Sequence, residues 1–176
     1  PAKPELASEF GTLRGTLKMT CYFDSSALVK YYVTEPGSAW VRQQVDGEDD
    51  LVLAEITITE VAAALGMLHR MGRISPSQRL SFWERFERDC AERYNLTPVV
   101  HEVIWTAASL CSRYPLRAYD AVQLASGLAL RAPLAGQGTP VVFVSADEAL
   151  VSAARFERLA VDNPFWHTDM DVRRAP

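Results

Sequence analysis

From Thr20 onward, short runs of consecutive apolar residues alternate with longer segments of helical spacing. Thr20-Cys21-Tyr22-Phe23 reads as a buried strand that stops at Asp24. Ser25 to Val33 follows with Ala27, Leu28, Tyr31 and Tyr32 on one helical face. Pro36-Gly37 breaks that helix, and Ser38 is the expected N-cap of a second one reaching about Val45. Leu51–Ala54 reads as a strand, and a helix from about Thr57 to Arg70 ends at Gly72. Ser75-Pro76-Ser77-Gln78 opens another helix with cap, proline and N3 glutamine in place, running to about Arg93. A strand at Leu96–Val100 is interrupted by Pro98. Helices follow from Glu102 to Arg113 and from Ala118 to Arg131. Ala132–Pro140 reads as a loop, and Val141–Val144 as the clearest buried strand. A helix from Asp147 to about Phe156 and a short strand near Leu159–Val161 complete the pattern. Apolar strands separated by helices predict an α/β domain, a central parallel sheet flanked by helices on both faces.

Composition narrows the field. The 176 residues are 48% hydrophobic and 23% charged, as expected of one globular domain. The net charge of -4 argues against a surface that grips long nucleic acid by electrostatics alone. Cys21, Cys90 and Cys111 are scattered and odd in number, which fits a reducing cytoplasm rather than a disulfide framework. No apolar stretch approaches the roughly 20 residues that cross a bilayer, so a membrane partner is not expected. Residues 1–18 lack periodicity and read as an expression-tag leader, with Met19 as the native start.

In parallel α/β sheets, ligands collect beyond the carboxyl ends of the strands. The pattern delivers acids there. Asp24 directly follows the first strand, and Asp147 lies three residues after Val144. Asp120 opens a helix, and Glu60 sits early in its helix among Ile56, Ile58, Val61 and Ala62 to Ala64. Each acid alone reads as a helix cap, a first-turn acid or a solvent-facing side chain. Four that converge on one edge repel one another and raise their own pKa values. A hard cation such as Mg²⁺ or Mn²⁺ resolves that conflict, and carboxylate-bound ions of this kind cut phosphodiesters by activating water.

Four segments then carry a resemblance. They are Tyr22-Phe23-Asp24-Ser25-Ser26-Ala27-Leu28-Val29-Lys30, Ile58-Thr59-Glu60-Val61-Ala62-Ala63-Ala64-Leu65, Arg117-Ala118-Tyr119-Asp120-Ala121-Val122-Gln123-Leu124-Ala125 and Val142-Phe143-Val144-Ser145-Ala146-Asp147-Glu148. In order and character they resemble the PIN domain, and within it the VapC-type toxins of VapBC toxin–antitoxin pairs, from Met19 to about Pro164. The resemblance implies a PIN-like fold over residues 19–164, with 165–176 a C-terminal tail. It also implies a Mg²⁺- or Mn²⁺-dependent endoribonuclease acting on RNA, a VapB-type antitoxin and a homodimer. By motif position, Asp24, Glu60, Asp120 and Asp147 take the catalytic acidic places. Asp24, Asp120 and Asp147 would bind metal, and Glu60 would complete the shell or orient the attacking water. Ser26, Ser145 and Arg117 take supporting places. Ser25 departs from the family, which commonly has Thr there, and the loop Arg131–Pro140 is long for it.

Other chemistries find little support. His69, His101 and His167 are scattered, and neither H-x-x-x-H nor C-x-x-C occurs. There is no G-x-S-x-G, no Walker A and no complete G-x-G-x-x-G. The segment Ser81–Asp89 alternates charges and reads as a solvated helix face, while Tyr31, Tyr32 and Trp40 read as core. Two rival functions remain: a non-catalytic scaffold of the same fold, and a receiver-like phosphoacceptor. The receiver needs a late lysine, and after Met19 the chain has only Lys30.

Overall fold

A computed structural model describes residues 19–47, 49–136 and 138–172. Residues 1–18, read from the sequence as a leader, lie outside the described residues. Five strands form one parallel sheet: β1 (Thr20–Phe23), β2 (Asp50–Ala54), β3 (Asn95–Thr97), β4 (Val141–Val144) and β5 (Ala160–Asp162). Their order is β3-β2-β1-β4-β5. The chain starts in the middle, builds outward to β3, then crosses back to place β4 on the other side of β1. The β1/β4 seam is therefore the point where the direction of winding reverses.

Eight α-helices among the described residues cover the sheet. They are α1 (Ser25–Tyr32), α2 (Ser38–Val45), α3 (Ile56–Arg70), α4 (Pro76–Glu92), α5 (His101–Arg113), α6 (Ala118–Ala135), α7 (Glu148–Phe156) and α8 (Asp169–Val172), with a 3-10 turn at Pro164–His167. Alternate strand positions feed two cores, as a pleated sheet requires. Cys21, Phe23, Leu51, Leu53, Val142 and Val144 meet the apolar faces of α1 to α4. Tyr22, Val52, Ala54, Phe143 and Val161 meet those of α5, α6 and α7. The expected α/β fold with helices on both faces is present.

Three boundaries differ from the sequence reading. Ser38 is the first helical residue of α2, and Gly37 takes the N-cap with φ +88°. A Cβ at Gly37 would stand 2.6 Å from the Pro164 carbonyl oxygen, so the close approach of the C-terminal segment demands glycine. The Ser38 hydroxyl instead accepts from the Glu35 N–H at 2.9 Å and donates to the Val33 carbonyl at 3.2 Å. α6 runs on through Ala132–Ala135, read from sequence as loop. Pro133 falls in its last turn, where the missing N–H forfeits a single helical bond. β3 ends at Thr97, because Pro98 has no N–H to continue a ladder.

The segment after β5 is bound to the domain. Asp171 accepts the N–H of Gly37 at 2.6 Å and of Ala39 at 2.9 Å, so it serves the orphan donors that begin α2. His167 stacks on Trp40 with centroids 4.5 Å apart and 3° between planes. No helix among the described residues is long and apolar enough to cross a membrane.

Candidate active site

Asp24 ends β1 and caps α1. Its backbone N–H donates to the Val144 carbonyl at 3.0 Å, which ties the residue to the neighbouring strand β4. Its Oδ1 accepts from the Ala27 N–H at 3.0 Å and from the Ser26 hydroxyl at 2.8 Å. The side chain is buried. Burial, reinforced by the nearby charge of Glu60, pushes its carboxyl up to about 7 against the hydrogen bonds from Ser26 and Ala27.

Asp147 stands across the seam as the N-cap of α7, accepting from the Ala149 and Leu150 N–H groups at 2.8 and 3.0 Å. Two hydroxyls couple the ends of β1 and β4. The Ser26 Oγ accepts the Ala146 N–H at 3.0 Å, and the Ser145 Oγ accepts the Asp147 N–H at 3.0 Å. The two hydroxyls lie 3.4 Å apart. The cap role assigned to each acid alone is thus real for Asp24 and Asp147, and it fixes their position at the carboxyl edge.

Glu60 comes from the second turn of α3 and Asp120 from the first turn of α6. Burial raises Glu60, and the charge of Asp120 adds to the rise, while Gln123 and Ser25 donate to it and pull the other way. Burial likewise raises Asp120, helped by the charge of Asp147. Asp120 also accepts from the Arg117 backbone N–H at 3.3 Å. A chain of repulsion therefore runs Asp24–Glu60–Asp120–Asp147, and the structure brings all four acids to one edge. Among the described residues, none of the four forms an ion pair with a Lys or Arg side chain.

Residues 21–158 match the PIN domain. The chain belongs to the PIN-domain family. Two curated relatives of this PIN domain are Ribonuclease VapC45 and Ribonuclease VapC49 of Mycobacterium tuberculosis. Each is 35% identical over 115 residues, which are 64% of this chain and 77% of the relative. Among solved structures the PIN domain is similar to FitAcB from Neisseria gonorrhoeae, with a TM-score of 0.61, 18% identity, and 84% of this chain and 99% of that one covered. It is also similar to VapBC2 from Rickettsia felis bound to a DNA fragment from their promoter. There the TM-score is 0.56, identity is 11%, and coverage is 82% of this chain and 98% of that one. The likeness to these structures is one of fold.

The PIN domain holds its glutamate with residues that motif reading passed over. Gln123 lies one helical turn after Asp120 and is 1% exposed. Its Nε2 donates to Glu60 Oε2 and to the Thr57 hydroxyl, the latter at 2.9 Å. Its Oε1 accepts from the Tyr22 hydroxyl at 2.5 Å. Thr57 is fully buried, and burial pushes the Tyr22 phenol well above its ordinary value, so Tyr22 is a permanent donor. A single amide thus orients Glu60 from beneath. Its signal in the sequence is a glutamine among Ala121, Val122, Leu124 and Ala125, one turn from an acid.

The donor chemistry fits a hard divalent cation. Every donor at this edge is a carboxylate or hydroxyl oxygen. Asp24, Glu60 and Asp120 are all raised, first by burial and then by a neighbouring acid, while the Arg117 charge pulls Asp120 the other way. Among the described residues no three His, Cys, Asp or Glu side chains stand close enough to enclose an ion as they are placed. Ser26 and Ser145 position Asp24 and Asp147 within the domain. The Arg117 side chain is exposed beside the acids and lines the adjoining groove with Asp147.

Proposed function

We propose that this PIN domain is a metal-dependent endoribonuclease, the toxin of a type II toxin–antitoxin pair that acts in the cytoplasm. The observation that carries the reading is the convergence of four acids at the β1/β4 seam. The names of the VapC relatives support ribonuclease activity. The antitoxin partner, of VapB type, is supported by the VapBC2 neighbour, a toxin–antitoxin complex. Homodimer formation is carried over from the family.

Asp24, Asp120 and Asp147 would hold Mg²⁺ or Mn²⁺. When bound, such an ion would supply charge neutralisation at the phosphate and a more acidic water. Glu60 orients the attacking water, with Gln123 holding its Oε2 in place. Ser26 keeps Asp24 aimed into the site, and Ser145 does the same for the turn that carries Asp147. Water, not a side chain, is the nucleophile.

The test is cleavage of a cellular RNA pool by the purified protein with Mg²⁺, with Mn²⁺ and with EDTA, beside Asp120→Asn prepared identically. Cutting is expected with either ion and not with EDTA, and the variant is expected to lose roughly 100-fold or more. A variant that cuts at the parent rate overturns the assignment. Metal binding by calorimetry, abolished by the same substitution, separates this enzyme from a non-catalytic scaffold.

A further inference from the structure

Four carboxylates at one edge repel the phosphates of the strand they would cut, so a ribonuclease of this kind needs cations close by. An open groove of about 550 Å³ adjoins the acids and includes Ser26 and Asp147 in its lining. Lys30, Glu35, Arg73, Arg117 and Phe165 line it as well. We propose that this groove binds the single-stranded RNA flanking the scissile bond, with phosphates on Arg73 and Arg117 and a base on Phe165, whose ring the buried Lys30 supports from below. The proposal rests on the ribonuclease reading above.

Lys30 is the clearest sign that the groove is built. It is 3% exposed in α1, on a face where an aliphatic side chain would satisfy the packing. Its Nζ donates to Glu35 Oε2 at 3.2 Å and lies 4.3 Å from the centre of the Phe165 ring. The other Glu35 oxygen pairs with Arg73 at 3.6 Å. One carboxylate shared by two cations leaves the cluster positive, and the Arg73 side chain is 54% exposed. Phe165 is placed as deliberately. Its N–H donates to Asn163 Oδ1 at 2.9 Å, and Asn163 is fully buried. Asn163 Nδ2 in turn donates to Glu148 Oε1 at 3.3 Å, next in sequence to Asp147. The ring is 40% exposed and offers a face for stacking.

The charge pattern selects the ligand. Arg73 and Arg117 are the exposed cations of the groove. A phosphodiester strand meets attraction there, and the metal neutralises the acids for it. A base that stacks on Phe165 must be unpaired, which favours a single strand over a duplex.

The test is fluorescence anisotropy with a short fluorescein-labelled single-stranded RNA of mixed sequence. The full chain carries Asp120→Asn and the buffer contains EDTA, so the probe survives. In that background Phe165→Leu, which keeps an apolar side chain over Lys30, is expected to weaken binding about tenfold, and Phe165→Trp to restore it. Arg73→Gln is expected to weaken binding and to lower the slope of log K against log salt by about 0.7. The same RNA annealed to its complement should bind more weakly. With Asp120 restored and metal added, both variants should raise KM and leave kcat within about twofold. Unchanged affinity and salt slope in Phe165→Leu and Arg73→Gln would overturn the groove assignment while metal-dependent cutting by the parent still stands. A parent that neither binds nor cuts RNA overturns both readings.

Discussion

Asp24 combines two roles that pull in opposite directions. As a cap it accepts from Ala27, and as a buried charge its carboxyl is pushed up to about 7. Between about pH 3.8 and 7 the folded chain holds a proton on Asp24 that the unfolded chain releases. Stability in EDTA should therefore fall as pH rises through that window, by about 1.4 kcal/mol per unit at its steepest for this group. Asp24→Asn keeps an acceptor for Ala27 and removes the charge. Calorimetry at pH 8 in EDTA should show it melting several degrees above the parent while cleaving nothing. A lower melting point would show that the charge is not what strains the site. Gln123→Leu makes the complementary point. It strands the Tyr22 and Thr57 hydroxyls and frees Glu60, at a cost of about 1–3 kcal/mol. Thermal melts should register that loss, and cleavage should drop further than Tm explains, because Glu60 loses its orientation. At this scale the four acids are legible from position, since Asp24 and Asp147 follow strands, Asp120 opens a helix and Glu60 sits early in one. Gln123 is not, because an amide acquires its meaning only from the three groups that surround it.

Helix α6 delivers Asp120 and Gln123, and its distance from the sheet sets where they stand. Gly127 makes the close approach possible. A Cβ there would lie 2.7 Å from Phe143 Cδ2, in a ring that is fully buried. That ring stacks on Tyr22, with centroids 5.3 Å apart and 12° between planes. Gly127→Ala is therefore expected to cost about 1–3 kcal/mol and lower Tm by several degrees. Cleavage should fall too, because Tyr22 carries the displacement to Gln123. Adding Phe143→Leu makes room for the methyl group, and a double-mutant cycle should recover part of the loss. Additive effects would show that the ring is not the obstacle. Element starts are well marked in the sequence where capping is local, and the Ser75–Gln78 capping box forms as read. They are poorly marked where a distant segment decides, as at Gly37, whose backbone answers to Pro164.

On the scale of the molecule, the residues after β5 are the part that pattern reading leaves open. They close over α2 and present Phe165 to the groove. Asp171 is the anchor, since it serves two N–H groups at the start of α2. Asp171→Ala should cost about 1–2 kcal/mol and speed proteolysis after Asn163. Limited digestion followed by mass spectrometry checks the second effect, and cutting at the parent rate would show that the segment is held by Trp40 and His167 instead. The charge balance also resolves only at this scale. A net charge of -4 argues against a nucleic-acid-binding surface, yet Arg73 and Arg117 line one groove with Asp147.

The alternation of apolar strands with amphipathic helices was enough to determine a parallel α/β sheet, and with it the delivery of Asp24, Glu60, Asp120 and Asp147 to one edge. Those outcomes follow from periodicity and chain direction, which are local and are written in the order of residues. Tertiary structure alone decided the strand order that sets β4 beside β1, the amide that holds Glu60, and the seat of the C-terminal segment. Each depends on groups between 63 and 134 positions apart meeting across the fold, as Gln123 meets Glu60 and Gly37 meets Asp171. Sequence spacing carries no signal for such meetings, because they are fixed by which surfaces the packed elements leave facing one another.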